Sequence, residues 1–381
     1  MSFKKIMVSA ILAAITTGVW AATPQVKNVK AFQQYPWGHV CLTYEVEGDI
    51  AASVGSGMPP SLLILAKDYL GTTYEATQLS GDTGTAEGTH KVVWDIGAQG
   101  ISFNSAPAIF TVMYYNEKYL VIDLSGGANA SSYPFSYLWD VPSEGWTDVY
   151  KTTKLVLRLI PAGTFRMCDA SNVTLTKPFY MGIFEVTQRQ YELVMGSNPC
   201  SSTSFGKGDT YPVHYVTYNA IRGTSNGAKW PSSSAVDSSS FMGKLRARTG
   251  LDFDLPTEAQ WEYACRAGTT TAYYWGDTMN GNYVWYGSNS SRKTQPVGTK
   301  TSNAWGLYDM SGNVCEWCLD WYGTLAYGTD PKGSSSGSYR VQRGGSWGED
   351  ADSCTSSCRD GHKPSYELSL YGFRLVRTLP E

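Results

Sequence analysis

Three stretches of the chain concentrate residues able to do chemistry. The first is Asn303–Tyr322, NAWGLYDMSGNVCEWCLDWY, which holds five aromatic rings, two cysteines and three acids around Gly306 and Gly312. Its acids, with the free carbonyls of a glycine turn, form a hard-oxygen donor set of the kind that holds a hard cation. The second is Arg343-Gly344-Gly345-Ser346-Trp347, and the third is Gly372-Phe373-Arg374-Leu375-Val376 near the C-terminus. Between the last two runs GEDADSCTSSCRDGHKPSYELSLY. Segments rich in Tyr, Ser, Gly and Asp combine rigid aromatic anchors with adaptable polar groups, as binding loops do.

Other chemistry finds no support. Cys315 and Cys318 are one close pair with no second of that spacing, and Cys354 and Cys358 fit a zinc pattern poorly. His39, His90, His214 and His362 are scattered. A net charge of −3 supplies no basic field for nucleic acid.

The elements that must position these residues differ along the chain. Lys4-Lys5, the apolar run Ile6 to Ile15, and small residues at Val19 and Ala21 read as a signal segment, 1–21, cleaved before Ala22. Export to the periplasm, the cell surface or the medium is expected. No other run is long and apolar enough to span a membrane. Residues 22–127 read as an immunoglobulin-like β-sandwich, with strands at His39–Val46, Ser61–Leu65, Lys91–Trp94, Ala108–Tyr115 and Tyr119–Leu124. Residues 128–153 lack strong periodicity and read as a linker. From 154 to 381 the pattern is α+β with sparse regular structure. Strands fall at Leu155–Ile160 and Phe179–Val186, with a turn at Pro161–Phe165. Helices follow caps at Thr187 and Thr217, cover Ser239 to Thr249, and start at Thr257, where Gln260 completes a capping box.

Seven motifs in order then carry a resemblance. They are Pro161-Ala-Gly-Thr-Phe165, Phe184-Glu-Val-Thr187, Tyr211-Pro-Val213, Leu255-Pro-Thr-Glu-Ala-Gln-Trp-Glu-Tyr263, Gly306-Leu-Tyr-Asp-Met-Ser-Gly-Asn-Val314, Arg343-Gly-Gly-Ser-Trp347 and Gly372-Phe373-Arg374. From about 155 to 377 the chain resembles the sulfatase-modifying-factor family, which includes formylglycine-generating enzymes. The resemblance implies a variant of the C-type lectin fold. In that family the enzyme oxidises a substrate cysteine with oxygen, through two cysteines that bind copper shortly after the Gly-Gly-Ser motif.

The carry-over is incomplete. Glu349 stands at the first copper position and Cys354 at the second; Asp350 replaces an expected histidine, and Cys315 an expected tryptophan. Ser346 keeps its place. The family's calcium ligands fall on Asp309, Gly312, Val314 and Glu316, and part of a second site on Asn282 and Tyr283. By the same comparison Cys315 and Cys358 occupy usually aromatic positions, which suggests a Cys315–Cys358 bridge; Cys168–Cys200 is a further pairing.

Two functions follow. One is a secreted protein that binds or displays a protein or glycan ligand, with Trp347, Glu349, Asp350, Tyr366 and Tyr371 on the contact surface, Trp305, Trp321 and Tyr322 as further candidates, and Ca²⁺ pinning the scaffold. Some members of the family are diversified by adenine-directed mutation, and Ser, Asp, Gly, Tyr, Cys and His here are the residues such change leaves from Asn codons. Drift in a solvated loop leaves the same pattern. The alternative is a formylglycine-generating oxidoreductase that uses copper, Cys354 and Ser346.

Overall fold

The structure is a computed structural model. It describes residues 119–378 apart from 139, and before them 25–34, 39–47, 61–67, 73–76, 79–81, 87–96, 98 and 109–115. The expected signal segment lies outside the described residues. The chain divides into two units, Met1–Glu117 with Pro380–Glu381, and Lys118–Leu379.

The described part of the first unit is β. Strands β1 (Gln25–Gln34), β2 (His39–Glu47), β3 (Ser61–Lys67), β4 (Thr73–Glu75), β5 (Leu79–Gly81), β6 (Gly88–Asp95) and β7 (Ile109–Tyr115) form two antiparallel sheets, β1-β2-β6-β5 and β4-β3-β7. Alternation along β2 buries Val40, Leu42, Tyr44 and Val46 in one core with Ile64 and Ala66 of β3 and Val92 and Trp94 of β6.

The second unit begins earlier than its composition suggests. The residues expected to end a sandwich at 127, and the linker expected at 128–153, belong to it. Strand β8 (Tyr119–Asp123) pairs along its length with β10 (Lys154–Ile160) and β9 (Phe135–Leu138). Tyr133 is buried, donating its hydroxyl to the carbonyls of Gly127 and Leu193 and its N–H to the carbonyl of Arg248. Buried anchoring of this kind leaves no periodicity to read.

The remaining strands are β11 (Gly163–Met167), β12 (Ser171–Leu175), β13 (Phe179–Gly182), β14 (Phe253–Asp254), β15 (Cys315–Trp321), β16 (Gly328–Thr329), β17 (Arg340–Arg343), β18 (Arg359–His362), β19 (Tyr371–Gly372) and β20 (Val376–Thr378). They complete sheets of order β14-β20-β13-β10-β8-β9, β11-β12-β16 and β18-β17-β15-β19. The expected turn at Pro161–Phe165 continues into β11, and the strand expected through Val186 ends at Gly182.

The helices start at the expected caps. Thr187 and Thr257 form reciprocal capping boxes with Gln190 and Gln260, opening helices Gln188–Met195 and Glu258–Arg266. Ser240 caps Phe241–Thr249, and Thr217 caps the short Tyr218–Arg222. Helix Glu258–Arg266 is buried along its length and sets Trp261 into the core with Phe179, Met181, Leu307, Met310 and Val341. That helix is the floor on which the four-stranded sheet rests.

Candidate functional site

The sheet β18-β17-β15-β19 brings the three chemical stretches together. Its register sorts them onto two faces. Glu316, Arg343 and Arg359 are successive partners across β15, β17 and β18, and face helix Glu258–Arg266. Trp317, Gln342 and Asp360 are the next row, on the opposite face, with Arg340 beside His362 and Cys315 beside Tyr371.

The inner face is a buried charge network. Arg343 donates to Glu262 at 2.5 Å and to Glu258 at 3.3 Å. Arg359 clamps both oxygens of Glu258 at 2.7 Å, and Arg266 donates to Glu262 at 2.8 Å. Burial alone would raise the Glu262 carboxyl, but Arg343 and Arg266 hold it below its usual range.

The expected calcium turn lies beside this network. Gly312 has φ +78°, and a Cβ there would sit 2.2 Å from the Trp285 carbonyl, so only glycine fits. Glu316 is buried, and its two oxygens take hydrogen bonds from Arg374 Nε and Nη2 and from Trp261 Nε1 at 2.6–2.8 Å. Arg374 Nη2 also reaches the carbonyls of Tyr308 and Asp309. Asp309 accepts the Gly298 N–H at 2.6 Å. Glu185 binds Asn313 Nδ2 and the Val314 N–H. Glu316 holds the Arg374 guanidinium, while the Asp309 and Glu185 carboxyls take backbone and amide donors instead. Burial pushes Asp309 up to about 6, and burial, with Asp309 and Glu316 nearby, pushes Glu185 well up. The donor set fits a cation in type, since a bound cation would favour the ionised form of the raised Asp309 and Glu185 carboxyls. It fits less well in free coordination, because Glu316 is already engaged. At the second expected position the Asn282 carbonyl accepts from Thr301 N–H and the Tyr283 carbonyl from the Tyr274 hydroxyl. Among the described residues no three His, Cys, Asp or Glu side chains converge as a metal cage.

The expected copper positions lie on the outer side. Glu349 is half-buried and accepts the Cys315 thiol at 3.1 Å. Cys354 is buried against Tyr273 and Val284. Burial first, then the Glu349 carboxylate, raises both thiols well above the usual range. Ser346 is fully buried, and its Oγ accepts the Gly348 N–H.

All eight cysteines are free, so neither expected bridge is formed. Cys200 faces His214, its sulfur 3.2 Å from both the carbonyl and the amide nitrogen, while Cys168 lies on Glu262 and Arg343. Cys315 spends its proton on Glu349.

The expected contact residues divide. Asp350 and Tyr366 are exposed. Trp347 is buried and donates its indole N–H to the Ser369 carbonyl, so it packs rather than presents. Tyr371 is also buried, its hydroxyl 2.9 Å from His362 Nε2. Trp321 donates to the Trp230 carbonyl and stacks on Arg340 at 3.3 Å. Trp305 packs edge-on against Tyr263. Tyr322 is exposed, over Gly361 and Arg359. Sequence reasoning missed Gln342, Asp360 and His362. Period-two alternation through Arg359-Asp-Gly-His362 was the available signal, and the segment is too short for it to stand out.

Comparison with known proteins places this geometry. The family model of the sulfatase-modifying factor enzyme 1-like domain matches residues 148–379. A protein from Paenibacillus barcinonensis named chaperone protein LppX is 31% identical over 230 residues, covering 50% of this chain and 78% of that protein. The formylglycine-generating enzyme of Mus musculus is 29% identical over 273 residues, covering 56% of this chain and 73% of the enzyme. Among solved structures, Treponema denticola variable protein 1 is 30% identical, with a TM-score of 0.50, covering 60% of this chain and 96% of that one. With the family model spanning more than half of the chain and the sheet and turns in the expected order, the chain belongs to the sulfatase-modifying factor enzyme 1-like family.

Proposed function

We propose that this is an exported binding or display protein built on the family scaffold, without formylglycine-generating activity. One observation carries the reading: at the first copper position stands a carboxylate, Glu349, that accepts the Cys315 thiol at 3.1 Å. Cu(I) selects soft thiolates, and one thiolate beside a carboxylate is a poor site for it. The raised Cys315 and Cys354 thiols oppose thiolate formation further. Similarity to nearly the whole length of a Treponema protein named for its variability supports the reading.

In this reading the ligand is a protein or a glycan and meets the segment 348–371. The signal segment 1–21 directs the chain to the periplasm, the cell surface or the medium. The first unit is an immunoglobulin-like module that presents the second. Ca²⁺ sits at the turn of Asp309, Gly312, Val314 and Glu316, favouring the ionised form of the Asp309 and Glu185 carboxyls.

The test uses the full chain with Cu(I), a competing chelator, oxygen and a sulfatase-type cysteine peptide. No stoichiometric copper and an unchanged peptide mass are expected. Formylglycine in the peptide overturns the proposal in favour of the alternative, an oxidoreductase, which the retained Ser346 and Cys354 favour. For calcium, calorimetry and melting with and without Ca²⁺ decide; no heat and no shift remove the ion.

A further inference from the structure

Strand β15 carries a buried acid that neither the copper nor the calcium positions use. Asp320 is 3% exposed, and its Oδ2 accepts the Glu258 N–H at 2.8 Å. Charged groups face it from each element packed against it, and none pairs with it. On helix Glu258–Arg266 the neighbour is Glu258, whose carboxylate holds Arg343 of β17 and Arg359 of β18. Arg340 of β17 donates to the carbonyls of Leu319 and Ala228. On its own strand the neighbour is the buried thiol of Cys318. Among the described residues no ion pair includes Asp320.

The other carboxyl oxygen lies under the segment 331–338, Pro-Lys-Gly-Ser-Ser-Ser-Gly-Ser. Gly333 has φ +71°, and a Cβ built on it would stand 2.7 Å from Asp320 Oδ1, so the carboxyl sits directly beneath the Gly333 backbone. The charges of this stretch point elsewhere. Lys332 lies over the Trp230 ring at 5.7 Å, and Asp330, just before the segment, takes the N–H and hydroxyl of Thr176.

The segment is fastened at both ends and lightly held between them. At one end β16 pairs with β12, and the Asp330 N–H donates to the Thr174 carbonyl. At the other, the Tyr339 carbonyl accepts the Tyr322 N–H. Between these points it meets the sheet at Trp321, through a bridge from Ser334 and through Gly337 against the Trp321 side chain. Ser335 to Ser338 are exposed. Pro331 is its one apolar side chain, so lifting it uncovers little hydrophobic surface.

A carboxylate that is buried without a cation is strongly disfavoured until water reaches it. Gly333 is half-buried, so solvent lies just beyond it, and a small displacement there hydrates Oδ1. We propose that segment 331–338 is a proton-controlled strap, closed over Asp320 while the carboxyl is neutral and lifted to admit water when the carboxyl ionises. Burial, with Glu258 nearby, pushes this carboxyl up to about 7. The strap is therefore closed below that pH and opens as pH rises through it.

The test is amide hydrogen exchange of the full chain by mass spectrometry, from about pH 5 to about pH 9, normalised to the intrinsic exchange rate at each pH. In wild type, normalised exchange of peptides covering 331–339, which the bridge to Trp321 protects when closed, should rise at least tenfold across that range. Peptides from helix Glu258–Arg266 should not follow. Asp320→Asn, which cannot ionise, should keep the low-pH rate throughout. Gly333→Ala, whose Cβ collides with Oδ1 at a positive φ, should exchange fast in this segment at every pH while the helix stays protected. Flat normalised exchange in wild type, a rise that Asp320→Asn retains, or slow low-pH exchange in Gly333→Ala overturns the proposal. So do helix peptides that open in step with the segment, because that is global unfolding.

Discussion

Replacing Asp320 by asparagine should change how stability depends on pH. Asp320 is buried on β15, and its Oδ2 accepts the Glu258 N–H at 2.8 Å, at the first turn of helix Glu258–Arg266. Burial, with Glu258 nearby, pushes its carboxyl up to about 7 from the usual 3.8. The unfolded chain releases this proton near its ordinary value, so between about pH 4 and pH 7 the unfolded state has lost a proton that the folded state retains. Stability then falls as pH rises through that window, by about 1.4 kcal/mol per unit, and levels off above it. The whole change is about 4 kcal/mol. Asparagine keeps an oxygen for the Glu258 N–H and does not ionise. Its extra N–H₂ costs about 1–3 kcal/mol if it finds no acceptor, but that cost is the same at every pH. The stability difference between Asp320→Asn and wild type should therefore move in favour of the variant by about 4 kcal/mol from pH 4 to pH 8. Urea unfolding followed by tryptophan fluorescence at pH 4, 6 and 8 measures it. A difference that stays constant across that range, or moves the other way, would refute the reasoning.

Glu349→Cys should restore a two-cysteine pair with Cys354 and raise Cu(I) affinity at least tenfold in chelator competition; unchanged affinity would show that this position does not face Cys354. Arg374→Met removes the guanidinium from Glu316 and should cost about 3–5 kcal/mol in urea unfolding, as loss of one partner of a buried pair does. Gly361→Ala places a Cβ 2.4 Å from Tyr322 Cγ and should lower the melting temperature and redshift or quench the emission of residues near that ring. Thr257→Ala removes a capping box and should cost about 1 kcal/mol by the same unfolding assay.

Much of the local structure was legible from the chain alone. The caps at Thr187, Thr217 and Thr257 follow from side-chain oxygens that satisfy nearby backbone N–H groups, a rule that reaches only a few residues. Alternation in His39–Val46 marked β2 because one face of that strand is buried, and a short apolar run bounded by Pro60 and Lys67 marked β3. The order of the motifs identified the family because seven weak signals in sequence seldom coincide. The unit boundary was not legible: Tyr133 joins the second unit through Leu193, and β9 through Tyr137 against Tyr180 and Arg377, all far along the chain.

The chemical fate of the charged residues was decided by tertiary structure. Sequence alone determined that Asp309 and Glu316 flank a glycine turn, and that Glu349 replaces a thiolate. It could not determine that Arg374, 58 residues beyond Glu316, would occupy that carboxylate, or that Cys315 would donate its thiol to Glu349 across 34 residues. Nor could it show that Trp347 turns inward while His362 and Gln342 share a face. Side-chain type sets which interactions are possible, but register and burial set which partner is within 3 Å and what desolvation costs the charge, and both are products of the folded sheet.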